Sequence, residues 1–159
     1  MREDARMEKV TARTLGAWVI TVNPRRTDVA SLLADGHAGG DWCVAANYRS
    51  RLMAAGQPIL LWVSNRSGVH PARGFWGVGT VLGPAVDMHD PDDPRLHVPT
   101  EITTLGEPVT AAECAGTAGL DRLEVLRSPQ QSNPSVVTAA EWSLLRARLE
   151  RAPEAPGLL

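Results

Sequence analysis

Leu15-Gly16-Ala17-Trp18-Val19-Ile20-Thr21-Val22-Asn23-Pro24 is a short, β-branched apolar run closed by a turn signal, the pattern of a buried strand. Two later stretches read the same way. Pro58 to Ser64 (PILLWVS) and Gly74 to Leu82 (GFWGVGTVL) predict two strands that pair, joined by a loop holding Asn65, Arg66, Gly68 and Pro71. Beyond an exposed Pro/Asp-rich loop containing Asp87, His89, Asp90, Asp92 and Asp93, Leu96 to Val98 and Glu101 to Thr103 predict interrupted strand pairing. Helical signals fall between the strands. Thr27 or Asp28 caps a short helix carrying Val29, Leu32 and Leu33, which Gly36 ends. A second helix is expected after Asp41-Trp42, with Val44, Tyr48 and Leu52 on one face, Arg49 and Arg51 off that stripe, and Gly56 as the stop. Thr110/Glu113 and Thr138/Glu141 each match a capping box, in which a threonine oxygen and a glutamate carboxylate satisfy orphan amides at a helix start. The final helix carries Trp142, Leu145 and Leu149 toward a sheet. No internal repeat occurs, and the helices are spaced too irregularly for a doubly wound sheet. The expected class is α+β, with a small, strongly bent sheet or barrel.

A chain of 159 residues suits one domain, and 43% hydrophobic with 21% charged residues is ordinary for a globular protein. The expected organisation is a polar segment over residues 1–13, one domain over 14–151, and a tail over 152–159 in which Pro153 and Pro156 end order. No apolar run approaches the roughly 20 residues of a bilayer-spanning helix, and Met1 to Arg13 lacks the apolar stretch of a secretion signal, so a cytoplasmic protein without membrane attachment is expected. Cys43 and Cys114 are far apart and form no metal-binding or disulfide pattern; both are expected to be reduced and structural. A net charge of −2 argues against nonspecific coating of nucleic acid. It hides an asymmetry: residues 1–80 hold ten basic against six acidic residues, the remainder six against twelve, so a basic face from the first half is open to it.

Five tryptophans stand beside a single Tyr48 and a single Phe75. Trp18 and Trp142 read as core. Trp42, where a Gly/Asp loop meets the expected second helix, and Trp62, near a strand end, sit where a pocket mouth would be. Aromatic faces there can stack on a base, and Asn23, Ser64, Asn65, Ser132 and Asn133 are the polar groups available to read its edge. Gly77 and Gly79 lie inside a strand rather than in a turn opening a helix, so they mark a bend or a close approach, not a phosphate loop.

The blocks Trp18 to Pro24, Trp42 with Tyr48-Arg49, Gly56 leading into Ile59 to Ser64, and Gly77 to Val81 resemble, in order and spacing, those of EVE domains. Ser132-Asn133-Pro134 followed by Thr138 to Trp142 resembles the C-terminal end of the same family. EVE domains belong to the PUA-like superfamily and are related to YTH domains. The resemblance implies a compact β-barrel flanked by helices and a pocket for modified bases such as methylated or hydroxymethylated cytosine. It implies Trp42, Tyr48 and Trp62 as aromatic walls and Asn23, Ser64, Ser132 and Asn133 as edge readers.

The leading functional expectation is a non-catalytic binding module for DNA or RNA carrying a modified base, with Arg25, Arg26, Arg66 or Arg73 meeting the phosphates. Binding of a flipped base favours single-stranded or mismatched sites. The alternatives are an enzyme acting on a nucleoside or another small planar molecule, with Asp41, His37 and Glu101 as nominal acid–base groups, and a protein-interaction module in a toxin–antitoxin or defence assembly. Neither the four histidines nor the acidic loop has catalytic or calcium-loop spacing, so no enzyme activity, cofactor or metal is expected.

Overall fold

The computed structural model describes residues 9–151; residues 1–8 and the tail from 152, with Pro153 and Pro156, lie outside the described residues. The opening run forms β1 (Leu15–Val22) at the heart of a mixed sheet. It is followed by α1 (Val29–Asp35), β2 (Gly40–Val44), a 3-10 turn (Ser50–Leu52), β3 (Pro58–Val63), β4 (Gly74–Val81), β5 (Val86–Asp87) and β6 (Leu96–Thr110). Then come α2 (Ala111–Ala115), α3 (Glu124–Arg127), β7 (Ser135–Thr138) and α4 (Ala139–Glu150). The strand order is β2-β6-β4-β3-β1-β7, with β5 paired to β6; β1 and β3 run parallel, in register from Trp18 opposite Ile59 to Val22 opposite Val63, and the other pairs are antiparallel.

Strand parity divides the interior into two cores. Trp18, Ile20 and Val22 of β1 join Ile59, Leu61 and Val63 of β3 on the concave face, with Val98 and Ile102 of β6. Ala17 and Val19 join Leu60 and Trp62 on the other face, covered by Cys114, Leu123 and Leu145 from the helical segments. Burial on both faces is why β1 and β3 read as unbroken apolar runs rather than as alternating ones.

Curvature brings the two edges of the sheet together. The Ala45 N–H, just past the edge strand β2, donates to the Asn133 carbonyl at 2.8 Å, just before the opposite edge strand β7. Asn133 also uses its side-chain amide as a substitute strand neighbour: Oδ1 accepts from the Thr21 N–H at 2.8 Å and Nδ2 donates to the Thr21 carbonyl at 3.1 Å. The expected α+β class with a bent sheet flanked by helices is thus the one observed, as a half-barrel whose seam runs between β2 and the segment before β7.

Several local expectations hold. Asp28 caps α1 by accepting from the Ser31 N–H, and Gly36 closes it in the left-handed conformation at φ 73°. The complete capping box forms at Thr138 and Glu141. At Thr110 only half forms, because the Glu113 carboxylate is drawn to Arg148 of α4. Two expectations are corrected. Residues after Asp41 do not begin a helix: Gly40–Val44 pairs with β6 from Gly40 opposite Thr100 to Val44 opposite Leu96, and that pairing overrides the four-residue spacing of Val44, Tyr48 and Leu52. The interrupted strand of the 96–103 region is a continuous 15-residue β6 that serves β2, β4 and β5 at once.

Gly79 of β4 lies opposite Ile102 of β6 with no space for a side chain. A Cβ there would run into the Glu101 carbonyl oxygen and lie 2.7 Å from the Ile102 Cα, which is backbone and cannot turn aside. Gly79→Ala is therefore expected to destabilise the fold by about 2–3 kcal/mol in urea unfolding; a loss below about 0.5 kcal/mol, the ordinary range for a neutral surface change, would contradict this packing.

Candidate functional site

The seam encloses a cavity of about 680 Å³, inside the range of about 300–1,000 Å³ typical of small-molecule sites. Its walls come from four parts of the chain. The end of β1 supplies Thr21, Val22 and Asn23, the following turn Arg26 and Thr27, β2 the residues Asp41, Trp42 and Cys43, and the approach to β7 supplies Ser132 and Asn133. Ser64, Arg95 and the 129–131 loop complete it. Trp42 is half-buried, and its indole N–H donates to the Ala38 carbonyl at 3.2 Å, which fixes the ring and spends its one donor. Asn23 forms an Asx turn in which Oδ1 accepts from the Arg25 N–H at 2.9 Å.

Of the residues singled out in the sequence, Asn23, Arg26, Trp42, Ser64, Ser132 and Asn133 meet at this cavity. The others do not. Trp62 is 1% exposed, edge-on to Phe75 at 4.6 Å between ring centroids, with the Arg73 guanidinium 5.6 Å from its ring; it fills the helix-covered core and is not among the residues that line the seam cavity. Tyr48 lies on the surface, where its hydroxyl accepts from the Val10 N–H at 3.1 Å and the Lys9 ammonium stands 5.6 Å from the ring. Of the three aromatic walls implied by the resemblance, Trp42 alone lines the seam cavity. Asn133 lines the cavity, but both ends of its amide are bonded to Thr21, so its side chain holds the wall instead of reading a ligand edge.

Asn65 lines a second cavity of about 920 Å³, where its amide bridges the Pro71 carbonyl at 2.8 Å and the Arg66 N–H at 2.9 Å; it is a loop brace. Arg66 and Arg73 line this second cavity too, Arg73 being tied to the Val125 carbonyl at 3.2 Å. The two cavities share Ser64 and Pro129. Arg25 is exposed on the turn beside Arg26. Of the nominal acid–base groups only Asp41 reaches the seam cavity; His37 bridges to Thr103 and Glu101 faces solvent opposite Thr80.

A strut that the sequence did not disclose braces the seam. Arg49 donates to both carboxylate oxygens of Glu124, at 2.7 and 2.8 Å, and to the Pro134 carbonyl at 3.3 Å. Glu124 in turn accepts from the Val136 N–H at 3.1 Å. Both side chains are largely buried, and the bond to Glu124 raises the Arg49 pKa well above its ordinary value. The pair fixes α3 and the 134–136 segment to the turn after β2, which holds the two walls of the cavity in register. Its members are 75 residues apart, and no local pattern joins them.

No protein-family model and no curated protein sequence matches the chain. Solved structures match it in fold. A Rhodopseudomonas palustris protein determined by NMR superposes with a TM-score of 0.63, covering 86% of this chain and 94% of that one at 22% identity. A protein from Leishmania major gives a TM-score of 0.63 over 88% and 98% at 17% identity. The human THYN1 protein, crystallised in complex with DNA containing 5-methylcytosine, gives 0.57 over 86% and 99% at 16% identity. These proteins share the fold of this chain, the bent sheet flanked by helices that the sequence leads one to expect.

Two outcomes follow from the site geometry. Glu124→Gln leaves the Arg49 charge largely buried without its counter-charge and is expected to cost about 3 kcal/mol of unfolding free energy; a loss under about 1 kcal/mol, the value of an exposed pair, would contradict the bracing role. Cys114 is fully buried, and burial, followed by the negative charge of Glu113, pushes its thiol up to about 12, whereas Cys43 is half-buried beside the cavity. Native protein should therefore add one thiol reagent at Cys43, with Cys114 reacting only on unfolding; equal labelling of both by mass spectrometry would contradict the arrangement.

Proposed function

We propose that the chain is a non-catalytic nucleic-acid-binding module whose seam cavity receives a single flipped, modified nucleobase, with 5-methylcytosine in DNA as the reference ligand. The observation that carries the reading is the convergence, on a cavity of base-accepting size, of one fixed indole with short polar side chains and the Arg26 guanidinium. Trp42 supplies the stacking face, a contribution of about 1–3 kcal/mol per base that does not discriminate among bases by itself. Discrimination is assigned to the Asn23 amide and to the Ser64 and Ser132 hydroxyls on the wall, which can bond a base edge. Arg26 at the rim, with Arg25 beside it and Arg66 at the adjoining cavity, meets the phosphates. The THYN1 complex supports the ligand class, since that protein shares the fold and was crystallised with 5-methylcytosine DNA.

Extrusion of a base costs a few kcal/mol, so single-stranded or mismatched sites should bind more tightly than matched duplex. Fluorescence anisotropy with labelled oligonucleotides carrying cytosine, 5-methylcytosine or 5-hydroxymethylcytosine tests the reading. A preference for a modified base is expected, with Trp42→Ala weakening it by about 5- to 150-fold, the equivalent of the stacking energy, and Tyr48→Ala leaving it unchanged. Equal affinity for all three bases, or affinity indifferent to Trp42→Ala, would contradict it.

A further inference from the structure

Cys43 of β2 lies directly opposite His97 of β6, and its sulfur is 3.8 Å from the His97 Nε2. Asp93 reaches the same place from the turn in which Asp90 and Asp93 pair, just before β6. One donor atom from each of the three residues lies within 4.8 Å of the other two, and all three side chains are half-buried. Neither the acidic loop nor the two cysteines suggested this grouping, because it needs both the β2–β6 register and the turn at residues 90–93.

Two physical arguments decide what the cluster can do. In a thiol–imidazole–carboxylate relay the acid bonds the ring nitrogen remote from sulfur and so stands away from the sulfur. Here the three donors close on one point, the arrangement of ligands around an ion. Tetrahedral zinc, with Zn–S of about 2.3 Å and Zn–N of about 2.1 Å, separates its sulfur and nitrogen ligands by about 3.6 Å, close to the distance found. One thiolate, one imidazole and one carboxylate form a donor set suited to a borderline-soft divalent cation.

We propose that Cys43, Asp93 and His97 form a three-ligand site for a zinc-class divalent cation that ties the edge strand β2 to β6 and to the turn at residues 90–93. The site is independent of the base-binding reading, although Cys43 also lines the seam cavity. Binding converts the Cys43 thiol to thiolate and releases its proton to solvent. Arg95 is the internal competitor: its Nε and terminal NH2 hold the two Asp93 oxygens at 2.9 and 2.8 Å. Its side chain is 55% exposed, so it can turn to solvent and yield an oxygen to the metal.

Chelator-stripped, reduced full-length protein titrated with cobalt(II) tests the site. The expected result is one equivalent bound, with a thiolate-to-cobalt charge-transfer band and the intense visible bands of tetrahedral cobalt, all displaced by zinc. Cys43→Ser should abolish the charge-transfer band, Asp93→Asn and His97→Ala should each weaken binding by at least about tenfold, and Arg95→Ala should tighten it several-fold. Circular dichroism verifies that each variant is folded; Asp93→Asn, at the turn, decides the matter if Cys43→Ser is not. Absence of saturable binding, a charge-transfer band that survives Cys43→Ser, or affinity unaltered in Asp93→Asn would overturn the proposal.

Discussion

The half-barrel depends on closing a sheet whose edge strands would otherwise stand apart. At the seam the main-chain link between the edges runs through a single residue. Asn133 gives its carbonyl to Ala45 on one side and its side-chain amide to Thr21 on the other, so both donors and acceptors at the end of β1 stay satisfied. A buried polar group left without a partner would cost on the order of 1–3 kcal/mol, which is why this contact governs how the walls stand. The Arg49–Glu124 pair secures the segment that Asn133 belongs to, and the cavity is what remains between the secured edges.

This origin explains the character of the cavity. It opens where strands end, so main-chain turns and short polar side chains line it, and only Trp42 brings a large apolar plane. The charge at its mouth is mixed: Arg26 and Arg95 stand with Asp41, while Arg95 is already committed to Asp93, whose carboxyl it holds down at about 2 through its side-chain and backbone hydrogen bonds. The adjoining cavity carries Arg66 and Arg73 and no carboxylate among its lining residues. A near-neutral chain thus keeps a local cationic surface next to the seam.

What the sequence disclosed and what it concealed divide along the range of the interactions involved. β1, β3, β4 and the caps at Asp28 and Thr138 were legible because apolar runs, turn residues and capping boxes are local signals. β2 was misread because Val44, Tyr48 and Leu52 repeat at helical spacing while the deciding partner, β6, lies more than 50 residues on. Trp62 was misplaced because a strand buried on both faces shows no alternation that tells a core side from a cavity side. Asn65 and Asn133 have the chemistry of ligand readers, yet both serve the backbone, and composition cannot separate those uses. The convergence of Cys43, Asp93 and His97 likewise depends on long-range pairing, the β2–β6 register that sets Cys43 opposite His97, together with the turn that delivers Asp93.

The central claim is that the seam holds one flat heterocycle against Trp42. A crystal structure of the chain with a short oligonucleotide carrying 5-methylcytosine tests it most directly. The account predicts the modified base extruded into the seam cavity, its ring parallel to the Trp42 indole and its polar edge within hydrogen-bonding reach of Asn23, Ser64 or Ser132. A base left stacked in its strand, or lodged in the cavity beside Arg66 and Arg73 with Trp42 uncovered, would contradict it.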